Sequence, residues 1–271
     1  MNTTILLAPG LEVSRIVTGL WQIADMERDG TILDPQATAL HMEPYVAAGL
    51  TSFDMADHYG SSEVITGTFK NTHPLGNQIQ LFTKWVPTPG KVTRDNVRKA
   101  VDLALDRMQQ SSIDLMQYHA WNYPDSSWLD GLFYLNELKE EGLIKHLGVT
   151  NFDAAHLRIA LASGIPIVSN QVCHSLIDQR AGGKMAEVCK EYNVQLLAFG
   201  TLAGGFLTNR WLDKSEPSQD ELETWSEMKY KRFIDTAGGW APYQNLLKAT
   251  KKVADRHDVS IANIASRYML E

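Results

Sequence analysis

The chain has 271 residues, 44% of them hydrophobic and 21% charged, with a formal net charge of −7 and an isoelectric point near 5.6. This suits a globular protein holding one large α/β barrel or two smaller domains, and the absence of a basic stripe excludes a surface built to neutralise nucleic-acid phosphates. No apolar run is long enough to span a bilayer, the start Met1–Gly10 lacks the basic region of a signal peptide, and two cysteines, Cys173 and Cys189, make no disulfide framework, so buried thiols in a cytoplasmic setting are expected.

In chain order, residues 4–7 and 12–14 flank Pro9-Gly10 and predict a hairpin, a plug over one end of a barrel. A strand over 16–20 follows. Asp34-Pro35 opens the first helix as N-cap and first-turn proline, and Gly49 closes it. Strands are expected at 51–54, 79–84, 113–119, 146–149, 167–171 and 194–199. They are apolar throughout rather than alternating, which marks a parallel sheet covered on both faces. Thr93 caps a helix over 94–108 whose apolar positions Val97, Val101, Ala104, Leu105 and Met108 share one face. Ser126 or Ser127 opens another, ending at Glu141-Gly142 with Gly142 in the left-handed position. A long segment from 201 to 240 reads as loop, and helices close the chain around 243–256 and 260–270. Alternating strands and helices predict a TIM-type (β/α)8 barrel as one domain, 1–271. Only seven strand–helix units are found, so the barrel lacks its last strand and helix.

Functional residues of such barrels sit at the C-terminal ends of strands. There the sequence sets an acid, a phenol, an amine and an imidazole: Asp54, Tyr59, Lys84 and His119. The set has a chemical logic for carbonyl reduction. A free phenol, with a pKa of roughly 10, donates a proton poorly; a neighbouring ammonium favours its phenolate. A carboxylate holds the ammonium charged despite burial, and an imidazole positions the carbonyl oxygen. Trp21, Trp85 and Trp121 follow strand ends and wall a substrate pocket or pack in the core. His58, His41 and the lysines at 248, 251 and 252 read as loop or surface chemistry. No metal-ligand spacing is present, and no Gly-x-Gly-x-x-Gly follows a strand, so a Rossmann site is not supported.

The residues 49–60 with Ser62-Glu63, the pair Thr83-Lys84, the strand Asp114–His119 and the run Lys145–Phe152 together resemble the signature motifs of the aldo-keto reductase superfamily, in order and over essentially the whole chain. The resemblance implies reversible NAD(P)H-dependent reduction of an aldehyde or ketone. Tyr59 would be the general acid, Lys84 would lower its pKa, Asp54 would hold Lys84, and His119 would position the carbonyl. It further implies a cofactor, NADP with NAD as the alternative. Thr150, Asn151 and Gln171 would bind the nicotinamide carboxamide, Phe199 would stack on the ring, and Gly200, Thr201, Leu202 and Gly204 would meet the pyrophosphate.

The family's eighth strand, and the basic residues beyond it that read the adenosine 2′-phosphate, have no counterpart before Glu271. A fragment of a longer chain, a truncation closed by oligomerising and a degraded enzyme are the explanations, the first preferred. The alternatives to a reductase are a non-enzymatic nicotinamide-binding regulatory subunit, an inactive truncated family member, or another barrel enzyme such as an isomerase, the last disfavoured by Thr150, Asn151 and Gln171. Substrate identity is expected to lie in the loops 21–33, 121–128 and 202–240.

Overall fold

The computed structural model describes residues 3–121, 123 and 125–271; Met1 and Asn2 at the start, and Asn122 and Pro124 of the loop 121–128, lie outside the described residues. The strands are β1 (Thr4–Ala8), β2 (Leu11–Ser14), β3 (Thr18–Gly19), β4 (Ser52–Asp54), β5 (Gln80–Trp85), β6 (Ile113–Tyr118), β7 (Ile144–Thr150), β8 (Ile167–Cys173) and β9 (Gln195–Phe199). The helices are α1 (Trp21–Met26), α2 (Pro35–Ala39), α3 (Glu43–Ala47), α4 (Ser62–Thr72), α5 (Arg94–Met108), α6 (Trp128–Glu140), α7 (Ala154–Ala162), α8 (Lys184–Tyr192), α9 (Trp225–Thr236), α10 (Trp240–Arg256) and α11 (Ile261–Met269).

Strands β1 and β2 form the antiparallel hairpin, turning at Gly10 with φ 79°. The other seven lie in one sheet in chain order, with parallel pairing from β3 to β8. This is the strand–helix order of a (β/α)8 barrel without its last unit, preceded by a hairpin. All six residues of β6 and five of the six of β5 are buried, as expected for strands that carry helices on one side and core on the other.

The first strand is shorter than expected. The Ser52 N–H at the start of β4 donates to Ser14 Oγ (3.1 Å), and Ser14 N–H donates back to Ser52 Oγ (3.0 Å). The end of the hairpin thus occupies the place where residues 16 and 17 would have paired, so Ile16 is exposed and the ladder begins at Thr18–Phe53. The first helix is also broken. Asp34 caps it, accepting from Gln36 N–H at 2.9 Å, but Pro44 has no N–H to return to Leu40. The chain tightens to a 3-10 turn over Leu40–Met42 between α2 and α3. The loops 21–33 and 201–240 contain the unexpected helices α1 and α9.

The chain forms two compact units, Met1–Gln171 with Val188–Leu196, and Val172–Glu187 with Leu197–Glu271. Phe53, Phe82, Leu115, Leu132 and Leu147, all fully buried, centre the first. Phe206, Leu207, Ile234, Leu247 and Ile261 centre the second, where Tyr243 Oη donates to the Phe206 carbonyl at 2.6 Å. Each such apolar side chain contributes roughly 1.5–3 kcal/mol on burial.

Candidate active site

The sheet ladder runs past the strand ends and fixes the loops that carry the polar residues. Leu20 N–H donates to the Asp54 carbonyl (2.9 Å), Met55 N–H to Phe82 (2.8 Å), Asp57 N–H to Lys84 (3.0 Å) and His119 N–H to Trp85 (2.9 Å). Asp54, Lys84 and His119 are therefore set by backbone pairing, before any side chain makes a bond.

Lys84 is 1% exposed. Its ammonium donates to Asp54 Oδ2 at 2.5 Å and to the Met55 carbonyl at 2.7 Å, and it lies 4.8 Å from the centroid of the Tyr59 ring. Asp54 Oδ1 accepts from two further amides, Gln117 Nε2 and Gln171 Nε2, each at 2.9 Å. Gln117 has room because Gly148 stands opposite; a Cβ there would lie 3.2 Å from Gln117 Cγ. Burial pulls the Lys84 ammonium down, but Asp54 and Tyr59 outweigh it and hold it above its usual value, so it stays charged. For Tyr59 the balance is the reverse: burial pushes the phenol up, Lys84 pulls it down and Asp54 adds to the rise, so the net direction is upward. Lys84 thus acts in the expected sense on Tyr59, but burial wins and the phenol stays protonated.

His119 is half-buried at the end of β6. The Asn151 amide nitrogen lies 3.2 Å from its Nε2, an arrangement satisfied by an imidazole with its proton on Nδ1. Asn151 follows β7 with φ 59°, a left-handed conformation that asparagine tolerates, and its N–H donates to the Gln171 carbonyl at 2.8 Å. Thr150 and Gln171 are register partners on β7 and β8.

Aromatic rings crowd Tyr59. Trp21 meets it edge-on at 5.1 Å and His58 at 4.9 Å. Trp121, 72% exposed, stands 6.2 Å from both His58 and His119. A cavity of about 280 Å³ opens beside Trp121, between Val86–Gly90 and Trp128. Trp85 differs: it is buried and packs edge-on against Tyr118 at 5.5 Å, so the core-packing alternative describes its surroundings.

Helix α1 ties across this set. Glu27, just beyond it, accepts from Ser61 N–H at 2.8 Å and from Ser61 Oγ–H at 2.5 Å. Gly60 permits the approach, since a Cβ there would lie 1.9 Å from Glu27 Oε2. Below, the buried Glu63 accepts from Thr83 Oγ1 (2.5 Å) and Arg107 (3.1 Å), and Arg107 also holds the Asp57 carbonyl (3.0 Å). None of Gln117, Glu27, Ser61 or Arg107 was singled out by sequence. Gln117 had a signal, since it lies two positions before His119, whose N–H continues the β6 ladder to Trp85, and so on the same face.

In the second unit, Phe199 ends β9 with the Lys229 ammonium 4.7 Å from its ring centroid. Gly200 and Gly204 have φ 68° and 62°, and a Cβ at either would strike the Tyr230 side chain, at 2.0 and 2.8 Å. Helix α9 packing on these glycines is a second reason for their smallness, beside any approach to phosphate. Thr201 and Leu202 between them are half-buried.

Among the described residues no helix is long and apolar enough to cross a membrane. The aldo/keto reductase family model matches residues 15–271. The chain is 29% identical over 136 residues to flagellar radial spoke protein 5 of Chlamydomonas reinhardtii, covering 49% of this chain and 26% of that protein. It is 27% identical over 188 residues to the chloroplastic pyridoxal reductase of Arabidopsis thaliana, covering 63% and 51%. The chain thus spans about a quarter and about half of the lengths of these two relatives. Among solved structures, a glycerol dehydrogenase from Gluconobacter oxydans superposes with a TM-score of 0.79 at 24% identity, covering 99% of this chain and 83% of that one. The strand order, the hairpin and a family match running from residue 15 to the end make this chain a member of the aldo/keto reductase family.

Proposed function

We propose that the chain is an NAD(P)H-dependent carbonyl reductase that converts an aldehyde or ketone to an alcohol, reversibly, with Tyr59 as general acid. The observation that carries the reading is the buried Lys84 ammonium, 2.5 Å from Asp54 and 4.8 Å from the Tyr59 ring centroid. A cation there stabilises the phenolate left when Tyr59 gives up its proton, while burial keeps the phenol protonated until a carbonyl accepts it. Asp54, with Gln117 and Gln171 on its other oxygen, holds Lys84 in place.

NADP, with NAD as the alternative, would supply the hydride. Thr150, Asn151 and Gln171 suit its carboxamide, because hydroxyl and amide side chains offer both donors and acceptors to another amide. When the Asn151 amide turns to a carboxamide, His119 Nε2 is released, and in the tautomer with its proton on Nε2 the imidazole donates to the carbonyl oxygen. The second unit, taken by itself, carries Phe199 as a ring suited to stacking and Gly200, Thr201, Leu202 and Gly204 as a turn suited to a pyrophosphate. Trp21 and Trp121 would wall the substrate.

Fluorescence titration with NADPH and NADH side by side, followed by turnover on a panel of carbonyls, tests this. Cofactor binding with turnover is expected. Binding without turnover would favour a non-enzymatic nicotinamide-binding role.

A further inference from the structure

His58 is the one imidazole in the aromatic group around Tyr59 that the proposed reaction does not use. Its place is unusually well defined. Nδ1 lies 2.8 Å from Asp57 Oδ1. Asp57 is itself pinned: Oδ2 accepts from Val86 N–H at 2.9 Å, its N–H donates to Lys84 at 3.0 Å, and its carbonyl accepts from Arg107 at 3.0 Å. A carboxylate on Nδ1 places the ring's proton there and leaves Nε2 as an acceptor. Among the described residues Nε2 has no second hydrogen-bond partner, and the side chain is 35% exposed.

The surroundings of that ring are equally specific. Its centroid is 4.9 Å from Tyr59 and 6.5 Å from His119, the two groups assigned to the carbonyl oxygen. It is 6.2 Å from Trp21 and 6.2 Å from Trp121. A carbonyl oxygen held by Tyr59 and His119 therefore brings the substituents of its neighbouring carbon to His58. An apolar wall there would accept an alkyl group. A fixed acceptor instead rewards a hydroxyl, and it leaves a desolvated lone pair unmatched when an alkyl group arrives.

We infer that His58, oriented by Asp57, is a specificity-determining residue that accepts a hydrogen bond from a hydroxyl on the carbon next to the reacting carbonyl, so that the substrates are α-hydroxy aldehydes and ketones. This rests on the carbonyl-reductase reading above. Trp21 and Trp121 face the carbon-bound hydrogens of such a compound, and His58 selects its hydroxyl.

The test compares pairs in which a methyl replaces the hydroxyl: lactaldehyde with isobutyraldehyde, and hydroxyacetone with butanone. The wild-type protein should favour the hydroxylated member of each pair in kcat/KM by about fivefold to tenfold, the worth of one neutral hydrogen bond. In His58→Phe the loss should fall on the hydroxylated member, bringing the ratio to about one. In His58→Gln, whose amide oxygen can stand near Nε2, part of the preference should return. A wild-type ratio near one overturns the inference without needing any variant, and so does an unchanged ratio in His58→Phe. Turnover on both members with no preference overturns the role of His58 alone. No turnover on any carbonyl, with cofactor bound, overturns the reductase reading and this inference with it.

Discussion

At the scale of single residues, Lys84 and Asp54 decide most. The ammonium is 1% exposed and the carboxylate side chain 11% exposed, so neither is solvated well enough to stand alone. Lys84→Met leaves Asp54 with only the two amide donors of Gln117 and Gln171. Urea unfolding should show a loss of about 3–5 kcal/mol, the usual cost of removing one partner of a buried pair; a change below roughly 1 kcal/mol would mean that the amides alone satisfy the carboxylate. Tyr59 gives a pH prediction. Its folded value lies above the ordinary phenol value because of burial, against the pull of Lys84. The protonated form that reduction consumes therefore persists below the usual phenol pKa of about 10. In the free enzyme, kcat/KM for reduction should not fall with a Tyr59 ionisation until pH exceeds about 10, and alcohol oxidation, which needs the phenolate, should rise over that same range. A Tyr59-dependent fall centred near pH ~7 would contradict this. The thiols point the same way: burial pushes Cys173, with Asp178 adding, and Cys189 each up to about 11. Against an ordinary thiol pKa of about 8.5–9, that leaves roughly a hundredth of the thiolate at neutral pH. Alkylation of the folded chain by iodoacetamide at neutral pH should be slower than that of the urea-unfolded chain by about that factor.

At the scale of elements, helix α1 behaves as a strap over the loop that carries Tyr59. Leu20 N–H bonds the Asp54 carbonyl at one end, Glu27 bonds Ser61 at the other, and Trp21 packs on Tyr59 between them. Glu27→Ala should lower the unfolding free energy by about 1.5–3 kcal/mol, as for a hydrogen bond to a charged group, and reduce kcat by roughly tenfold as Tyr59 loses its support. Wild-type kcat in that variant would show that α1 does not position Tyr59. Helices α4 and α5 cross where Gly67 lies against α5; a Cβ there would be 2.3 Å from the Met108 carbonyl. Gly67→Ala should cost about 1–3 kcal/mol through forced separation of the helices, measurable by thermal unfolding.

At the scale of the whole molecule, the strand–helix alternation and the motif-bearing strand ends were legible because each is carried by neighbouring residues. Asp54, Tyr59, Lys84 and His119 follow from where apolar runs stop. What was not legible depends on long separations. The shortening of β3 comes from Ser14 bonding Ser52, thirty-eight positions away; the helix break at Leu40–Met42 is local, set by the N–H that Pro44 lacks. Helix α9 had a local signal, the Thr224 and Glu227 capping box, that the general polarity of the segment hid. Helix α1 had none: Leu20 provides no side-chain cap, and the first turn holds no acidic residue. The support of Asp54 by Gln117 and Gln171 is likewise a product of sheet register, visible only once strands β4, β6 and β8 are assembled.

The central claim is that Tyr59 delivers the proton. Its most direct test pairs cofactor binding, read by NADPH fluorescence, with turnover for the wild-type chain and Tyr59→Phe. The substitution removes only the hydroxyl and leaves the ring beside Trp21 and Lys84. NADPH affinity should be unchanged within a factor of about two, while kcat falls by about 10²–10⁴-fold, the usual worth of a positioned general acid. Turnover within about tenfold of wild type, with cofactor bound equally well, would contradict the account.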